Sequence, residues 1–368
     1  MINAYTLYYT LERLYTSIAR HLPGGYALPP LQVVFELTYR CNLKCEMCYQ
    51  RRQVDQLGAR RSDKARELSA DEIKRLVRRT PWWSLIVFTG GEPLLRQDAL
   101  DIIAYTARRR RCHIVTNGVA LGVTPETAGV LVEAGVMSVG ISLDGDQATH
   151  DAIRGVPGTF DRTLRGIQAL WSVRNERGRA WPLINVKSVI TRANAARLGQ
   201  IVDLATEAGA DFCTFQMQNN SIHLSGLMPN RDISLYTARP DPIEDFDVAA
   251  LKGELAGLAA RQAGRPIVRF IPDLPPADYI LHYENRAAPT DYLCQTPWAT
   301  ANISAYGDVF PCLNYAIGNV REKELARLWN NSRFRAFRQA LRADGLFPGC
   351  IGCCDLRSRH CTRRGVEE

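Results

Sequence analysis

The sequence predicts an α/β fold: a parallel sheet curled into a partial (β/α)6 barrel, followed by a small cysteine-rich domain. Two observations carry this. Short β-rich runs alternate with helical patterns from Leu31 to Met217, and cysteines cluster just after the first of those runs and again near the C-terminus. A third, the 46% of hydrophobic residues in a 368-residue chain, supplies enough apolar surface for a sizeable core.

The same composition bounds the function. No apolar run reaches the roughly 18 residues that would span a bilayer, and the N-terminus lacks the basic and apolar regions of a signal peptide, so a cytoplasmic protein with no membrane partner is expected. Eleven cysteines, an odd number and clustered, point to metal binding rather than a disulfide framework. The net charge of +8 is partly local, in Arg108 to Arg111 and in Arg357, Arg359, Arg363 and Arg364. No aromatic-interleaved basic patch accompanies it, so a solvated helix end and tail are expected in place of a nucleic-acid surface.

Taken in order, residues 1–30 form an N-terminal helical extension, with Leu7, Leu11, Leu14, Tyr15, Ile18 and Leu22 at helical spacing before Pro23-Gly24-Gly25. The partial barrel occupies 31–217. Its strands are LQVVFELT, SLIVFTG, CHIVTNG, MSVGISLDG, LINVKSVIT and DFCTFQMQ, with helices expected near 71–79, 98–109, 125–134, 160–173 and 195–208. A less regular bridge follows at 218–290, with a helix near 246–262 and the strand-like PIVRFI. The last domain, 291–368, opens with a hairpin turning at Tyr306-Gly307-Asp308 and continues with a helix over 324–341.

In parallel α/β folds, ligands sit at the C-terminal ends of the strands. There the sequence places Cys41, Cys45 and Cys48 in C-x3-C-x2-C spacing, Gly90-Gly91-Glu92-Pro93, Thr116-Asn117-Gly118, and Ser142-Leu143-Asp144-Gly145. Three thiolates are one short of the usual set for a [4Fe-4S] cluster, leaving one iron for a ligand that is not protein. A zinc site is the structural alternative, although zinc prefers four ligands and paired C-x2-C elements.

With that spacing, its strand context and GGEP, the sequence resembles the radical S-adenosylmethionine (radical SAM) superfamily. The resemblance implies that S-adenosylmethionine chelates the open iron, that the reduced cluster cleaves it, and that the resulting 5'-deoxyadenosyl radical removes a substrate hydrogen. By the same resemblance Gly90, Gly91, Glu92 and Pro93 bind the methionine amino group, Ser142 and Asp144 lie near the ribose and carboxylate, Arg154 clamps the carboxylate, and Asn117 stands beside them. Met47 departs from the pattern, standing where the family often has an aromatic residue next to adenine.

The C-terminal spacing, from Cys294 through Gly307 to Cys312 and then Cys350 and Cys353, resembles the SPASM/twitch extension of these enzymes. It implies one auxiliary [4Fe-4S] cluster on Cys294, Cys312, Cys350 and Cys353, with Cys361 able to replace one of them; a zinc ribbon is the alternative. Cys112 reads as a small buried apolar residue. Cys213, on the sixth strand, reads either as a core cysteine or as a hydrogen donor for a radical epimerase. The expected activity is therefore epimerisation of a small polar substrate, such as a sugar unit of a natural product, with Cys213 catalytic. The polar residues Gln216, Gln218, Asn219, Asn220 and His223 would meet its hydroxyls. Oxidation or decarboxylation, and peptide maturation, are the alternatives. An external one-electron reductant such as a flavodoxin or ferredoxin is implied in each case.

Overall fold

The computed structural model of the chain describes residues 4–57, 63–220, 229, 231–261, 264–312 and 315–359. Strands β1 (Gln32–Glu36), β2 (Leu85–Thr89), β3 (Cys112–Thr116), β4 (Ser138–Ser142), β5 (Leu183–Val189), β6 (Phe212–Gln216) and β7 (Ile267–Ile271) pair in parallel and in chain order. The helices between them start on local signals. Ser69 and Glu72 make a reciprocal capping box at the head of Ala70–Arg79, which buries Ile73, Leu76 and Val77. Asp146 caps Gln147–Arg154 by accepting from the Thr149 amide.

The sheet continues beyond the six expected units at both ends. PIVRFI, read as part of the bridge, supplies β7 beside β6. From the cysteine-rich part come β8 (Tyr292–Cys294), β9 (Thr300–Ile303), β10 (Asp308–Phe310), β11 (Gly318–Asn319) and β12 (Leu356–Ser358). β9 lies parallel to β1, and β10 returns antiparallel to it around the expected Tyr306–Asp308 turn. The result is a ten-stranded sheet, with β8 and β12 forming a separate pair. The C-terminal hairpin is thus continuous with the barrel wall.

Strand alternation sets two faces. On β5, Ile184 and Val186 are fully buried against the helices, while Asn185 and Lys187 face the concave side. Curvature shows in the charges that act across the concave side. Tyr49 lies within electrostatic reach of both Glu36 on β1 and Cys354, and Lys187 on β5 also reaches Cys354. On a flat sheet β1 and β5 would stand about 19 Å apart.

Two expectations need correction. The helix expected over 324–341 is two, Leu325–Trp329 and Ser332–Asp344. Asn331 caps the second by accepting from the Phe334 amide, and the Asn330 amide bonds both the N–H and the carbonyl of Ala27. Cys213 does not face the lumen. Register puts it level with Val186 and Val268 on the helix side, and its charged neighbour is Arg261, which is bonded to Asp203 of the outer helix Leu198–Glu207. It is fully buried, and burial pushes its thiol up to about 12. Thr214, next to it, bonds Asn185 on the inner face.

The N-terminal helix, Ala4–His21, docks on the C-terminal segment: Thr16 donates to Gln295 and Arg357 pairs with Glu12.

Candidate active site

The loop after β1 is held by close backbone crossings. The Gly91 amide donates to the Thr38 carbonyl at 2.7 Å and the Glu92 amide to the Arg40 carbonyl at 2.8 Å. A Cβ on Gly91 would stand 2.3 Å from the Arg40 carbonyl oxygen, which is the physical reason for glycine there. On the other side, Lys44 and Glu46 amides donate to the carbonyls of Arg154 and Ile153. Cys41, Cys45 and Cys48 are thereby presented together at the strand ends.

Glu92 is enclosed, and burial raises its carboxyl. It accepts from the Leu94 amide, the Thr116 hydroxyl and the Asn117 amide, so most of its lone-pair capacity is spent within the protein. The Asn117 side chain donates to Asn42 at 2.8 Å. Asp144, with no exposed surface, receives Nε and Nη2 of Arg154 at 2.6 Å, and its other oxygen accepts from Ser188 and the Val189 amide. Arg154 Nη1 in turn lies 3.6 Å from Cys45 Sγ. A buried carboxylate thus aims a buried guanidinium at the cysteine loop. Ser142 ends β4 on the concave face, level with Lys187.

The donor set fits an iron-sulfur cluster. Burial, then the neighbouring Cys45, pushes the Cys48 thiol up, so thiolates at this loop need a cation to hold them, and Arg154 alone supplies one charge. The C-terminal cysteines behave alike. Burial and then Cys312 and Cys294 push Cys350 well up, and Cys353 lies within reach of Cys312. The structure therefore brings Cys294, Cys312, Cys350 and Cys353 together, while Cys361 lies outside the described residues. Cys353 Sγ, Cys354 Sγ and an Asp355 carboxylate oxygen lie within 4.8 Å of one another.

Between the two cysteine groups runs a polar lumen that the motifs alone did not reveal. Glu36 accepts from Tyr39 at 2.8 Å and is approached by the Gln50 amide, and burial raises its carboxyl to about 7. His113 bonds Ser138 through Nδ1 at 2.7 Å, and burial followed by the Lys187 charge lowers it to about 3. Lys187 is lowered by burial. For Lys187 the signal was present in LINVKSV, where Asn185 and Lys187 stand two apart and alternate with the apolar Ile184 and Val186; in CHIVT only the single polar His113 stands between Cys112 and Ile114. Gln216 shares this face, and Gln218 bonds Asn220 near the mouth, where a cavity of about 320 Å³ is lined by Met47, Arg52, Arg192 and Gln218. His223 lies outside the described residues.

Comparison with known proteins agrees with this geometry. The radical SAM superfamily pattern matches residues 35–174, and the SPASM iron-sulfur cluster-binding domain matches 294–354. The chain is 29% identical to the AdoMet-dependent heme synthase of Methanosarcina barkeri, covering 89% of each chain. It is 31% identical to the PqqA peptide cyclase of Streptomyces rochei, covering 84% of this chain and 78% of the relative. In fold it resembles Streptococcus suis SuiB bound to its precursor peptide SuiA, with a TM-score of 0.62 at 18% identity over 89% of this chain and 71% of that one. No helix among the described residues is long and apolar enough to cross a membrane. The expectation of a sugar epimerase finds no support in these relatives. This chain is a radical SAM enzyme with a C-terminal SPASM domain, binding S-adenosylmethionine on a [4Fe-4S] cluster and carrying auxiliary iron-sulfur ligation.

Proposed function

We propose that the enzyme carries out a net oxidation of a peptide side chain. The observation that carries this reading is the placement of the auxiliary cysteine loop on the lumen: Tyr49 is within reach of both Cys48 and Cys354, and Lys187 is within reach of Cys354 and Asp355. When bound, the groups held by Cys41, Cys45 and Cys48 supply a 5'-deoxyadenosyl radical, and those held by Cys294, Cys312, Cys350 and Cys353 supply an electron acceptor. Arg154, held by Asp144, balances thiolate charge on the radical side. Glu36, poised by burial near neutrality, takes at its carboxylate the proton the substrate loses once a hydrogen atom and an electron have left it. Two substrate bonds to hydrogen break, one C–H giving its hydrogen atom to the radical and a second giving its proton to Glu36, and one new substrate bond forms. The remaining electron passes to the auxiliary acceptor, and an external flavodoxin or ferredoxin supplies the electron that cleaves S-adenosylmethionine.

Peptide modification is supported by the PqqA peptide cyclase relative and by the fold shared with SuiB. The heme synthase relative, which matches over 89% of both chains, supports a second reading in which the oxidised groups are porphyrin side chains. Anaerobically reconstituted enzyme, S-adenosylmethionine and dithionite would be offered a synthetic peptide library and, separately, iron coproporphyrin. A peptide lighter by two hydrogens, with one S-adenosylmethionine consumed per product, is expected. A modified porphyrin with unchanged peptides selects the second reading. Inversion with solvent deuterium uptake and no mass loss overturns both.

A further inference from the structure

Lys187 is the buried cation of the lumen that the cluster chemistry does not use. Protein surrounds it on every side, yet its side chain keeps accessible surface, so it opens onto an internal space. Among the described residues it makes no hydrogen bond and no ion pair. Asp355 and Cys354 act on it only as more distant charges, and neither comes within ion-pairing distance. Holding an ammonium there costs several kcal/mol unless an anion arrives.

A second donor stands beside it. A Cβ built on Gly140 would lie 2.8 Å from Lys187 Cδ and 3.4 Å and 3.5 Å from His113 Cε1 and Nε2, so the two side chains converge over a residue with no side chain of its own. Register agrees, since His113, Gly140 and Lys187 all belong to the inner face of β3, β4 and β5. With Nδ1 of His113 engaged by Ser138, Nε2 is the nitrogen directed at this space. In the tautomer that accepts the Ser138 hydroxyl proton, Nε2 carries a hydrogen and donates. Burial keeps the ring neutral, so in this tautomer the pair offers one charged and one neutral donor, whereas an Nδ1–H donated to Ser138 would leave Nε2 an acceptor.

We propose that Lys187 and His113, converging over Gly140, form a carboxylate-binding site that fixes an acidic group of the substrate between the radical loop and the auxiliary cysteines. Lys187 supplies the charge and His113 the directional hydrogen bond. The absent side chain at Gly140 supplies the room. Of the substrates considered above, this selects those bearing a carboxylate, such as an acidic peptide side chain or a chain terminus. The proposal rests on the reading that substrate enters this lumen. Its test needs no turnover, so its failure is distinct from a failure to find an oxidised product.

The experiment is competitive labelling of the reconstituted holoenzyme. Lys187 is acetylated with an N-hydroxysuccinimide ester, and its modification rate is read by peptide mass spectrometry against glutarate, neutral glutaramide, or sodium chloride at matched ionic strength. Glutarate at about ten times its dissociation constant should slow the labelling about tenfold by simple occupancy, whereas glutaramide and chloride should not. His113→Gln and Gly140→Ala should each raise the glutarate concentration needed, with circular dichroism and iron content confirming that both variants fold and load. A Lys187 that glutarate protects no better than chloride, or that is unreactive under all conditions because Asp355 occupies it, overturns the proposal. So does protection undiminished in both variants.

Discussion

Replacing Asp144 by Asn tests how the cysteine loop is held. The carboxylate has no exposed surface and takes two nitrogens of Arg154 at 2.6 Å, while Arg154 itself is only 8% exposed. Asparagine keeps the shape but removes the charge, so the guanidinium remains buried beside Cys45 without its counterion. Removing one partner of a buried pair costs about 3–5 kcal/mol, and two lost charge-assisted hydrogen bonds at about 1.5–3 kcal/mol each give a similar sum. At about 2 °C per kcal/mol in a large chain, the apparent melting temperature of D144N should fall by roughly 6–10 °C. Differential scanning calorimetry on the holoenzyme measures it, and loss of iron to a chelator should quicken in parallel. The double variant D144N/R154M should recover part of the loss, because no uncompensated charge remains. A fall of less than about 1 kcal/mol, the worth of an exposed ion pair, would refute the claim that this pair is buried and structural.

Cys213→Ala should cost about 1–2 kcal/mol from a small cavity under the outer helices and leave product formation intact; loss of turnover at full iron content would return this thiol to the reaction. Cys353→Ser should take iron from about eight to about four atoms per chain by colorimetric assay, whereas Cys361→Ser separates the two candidate ligands if it leaves the count unchanged. His150 contributes a pH dependence. Burial lowers it from 6.5 to about 4 in the folded chain, so its contribution to stability is fully present above pH 6.5 and is lost as pH falls toward 4. The unfolded chain binds the extra proton there, giving a slope of up to about 1.4 kcal/mol per pH unit. His150→Gln should flatten the urea-denaturation profile by that amount between pH 6.5 and 4, and an unchanged slope would contradict a neutral buried ring.

How much of this was legible in advance depended on the range of the interactions involved. The radical loop was readable because its spacing, its preceding strand and the GGEP glycines are set within a few residues by backbone geometry. The Asn330–Asn331 break was not, since a helical pattern over 324–341 gives no warning that Asn330 is needed by Ala27, some three hundred residues away in sequence. Alternation on DFCTFQMQ grouped Cys213 with Phe215 and Met217 but could not say which face was the lumen. The neighbours decided that: Lys187, Thr214 and Asn185 took the inner face, and Arg261 with the outer helices took the other.

By itself the sequence determined the fold class and the three-cysteine loop, because each is a local pattern whose chemistry does not depend on distant partners, while the auxiliary cysteine group followed only from the resemblance of its wider spacing. Only the tertiary structure decided that β9 joins the barrel at β1, that the auxiliary loop therefore borders the lumen, and that Lys187 and His113 meet over Gly140. Those facts arise from strands far apart in the chain being wound into one curved sheet, where register assigns each side chain its face and its company.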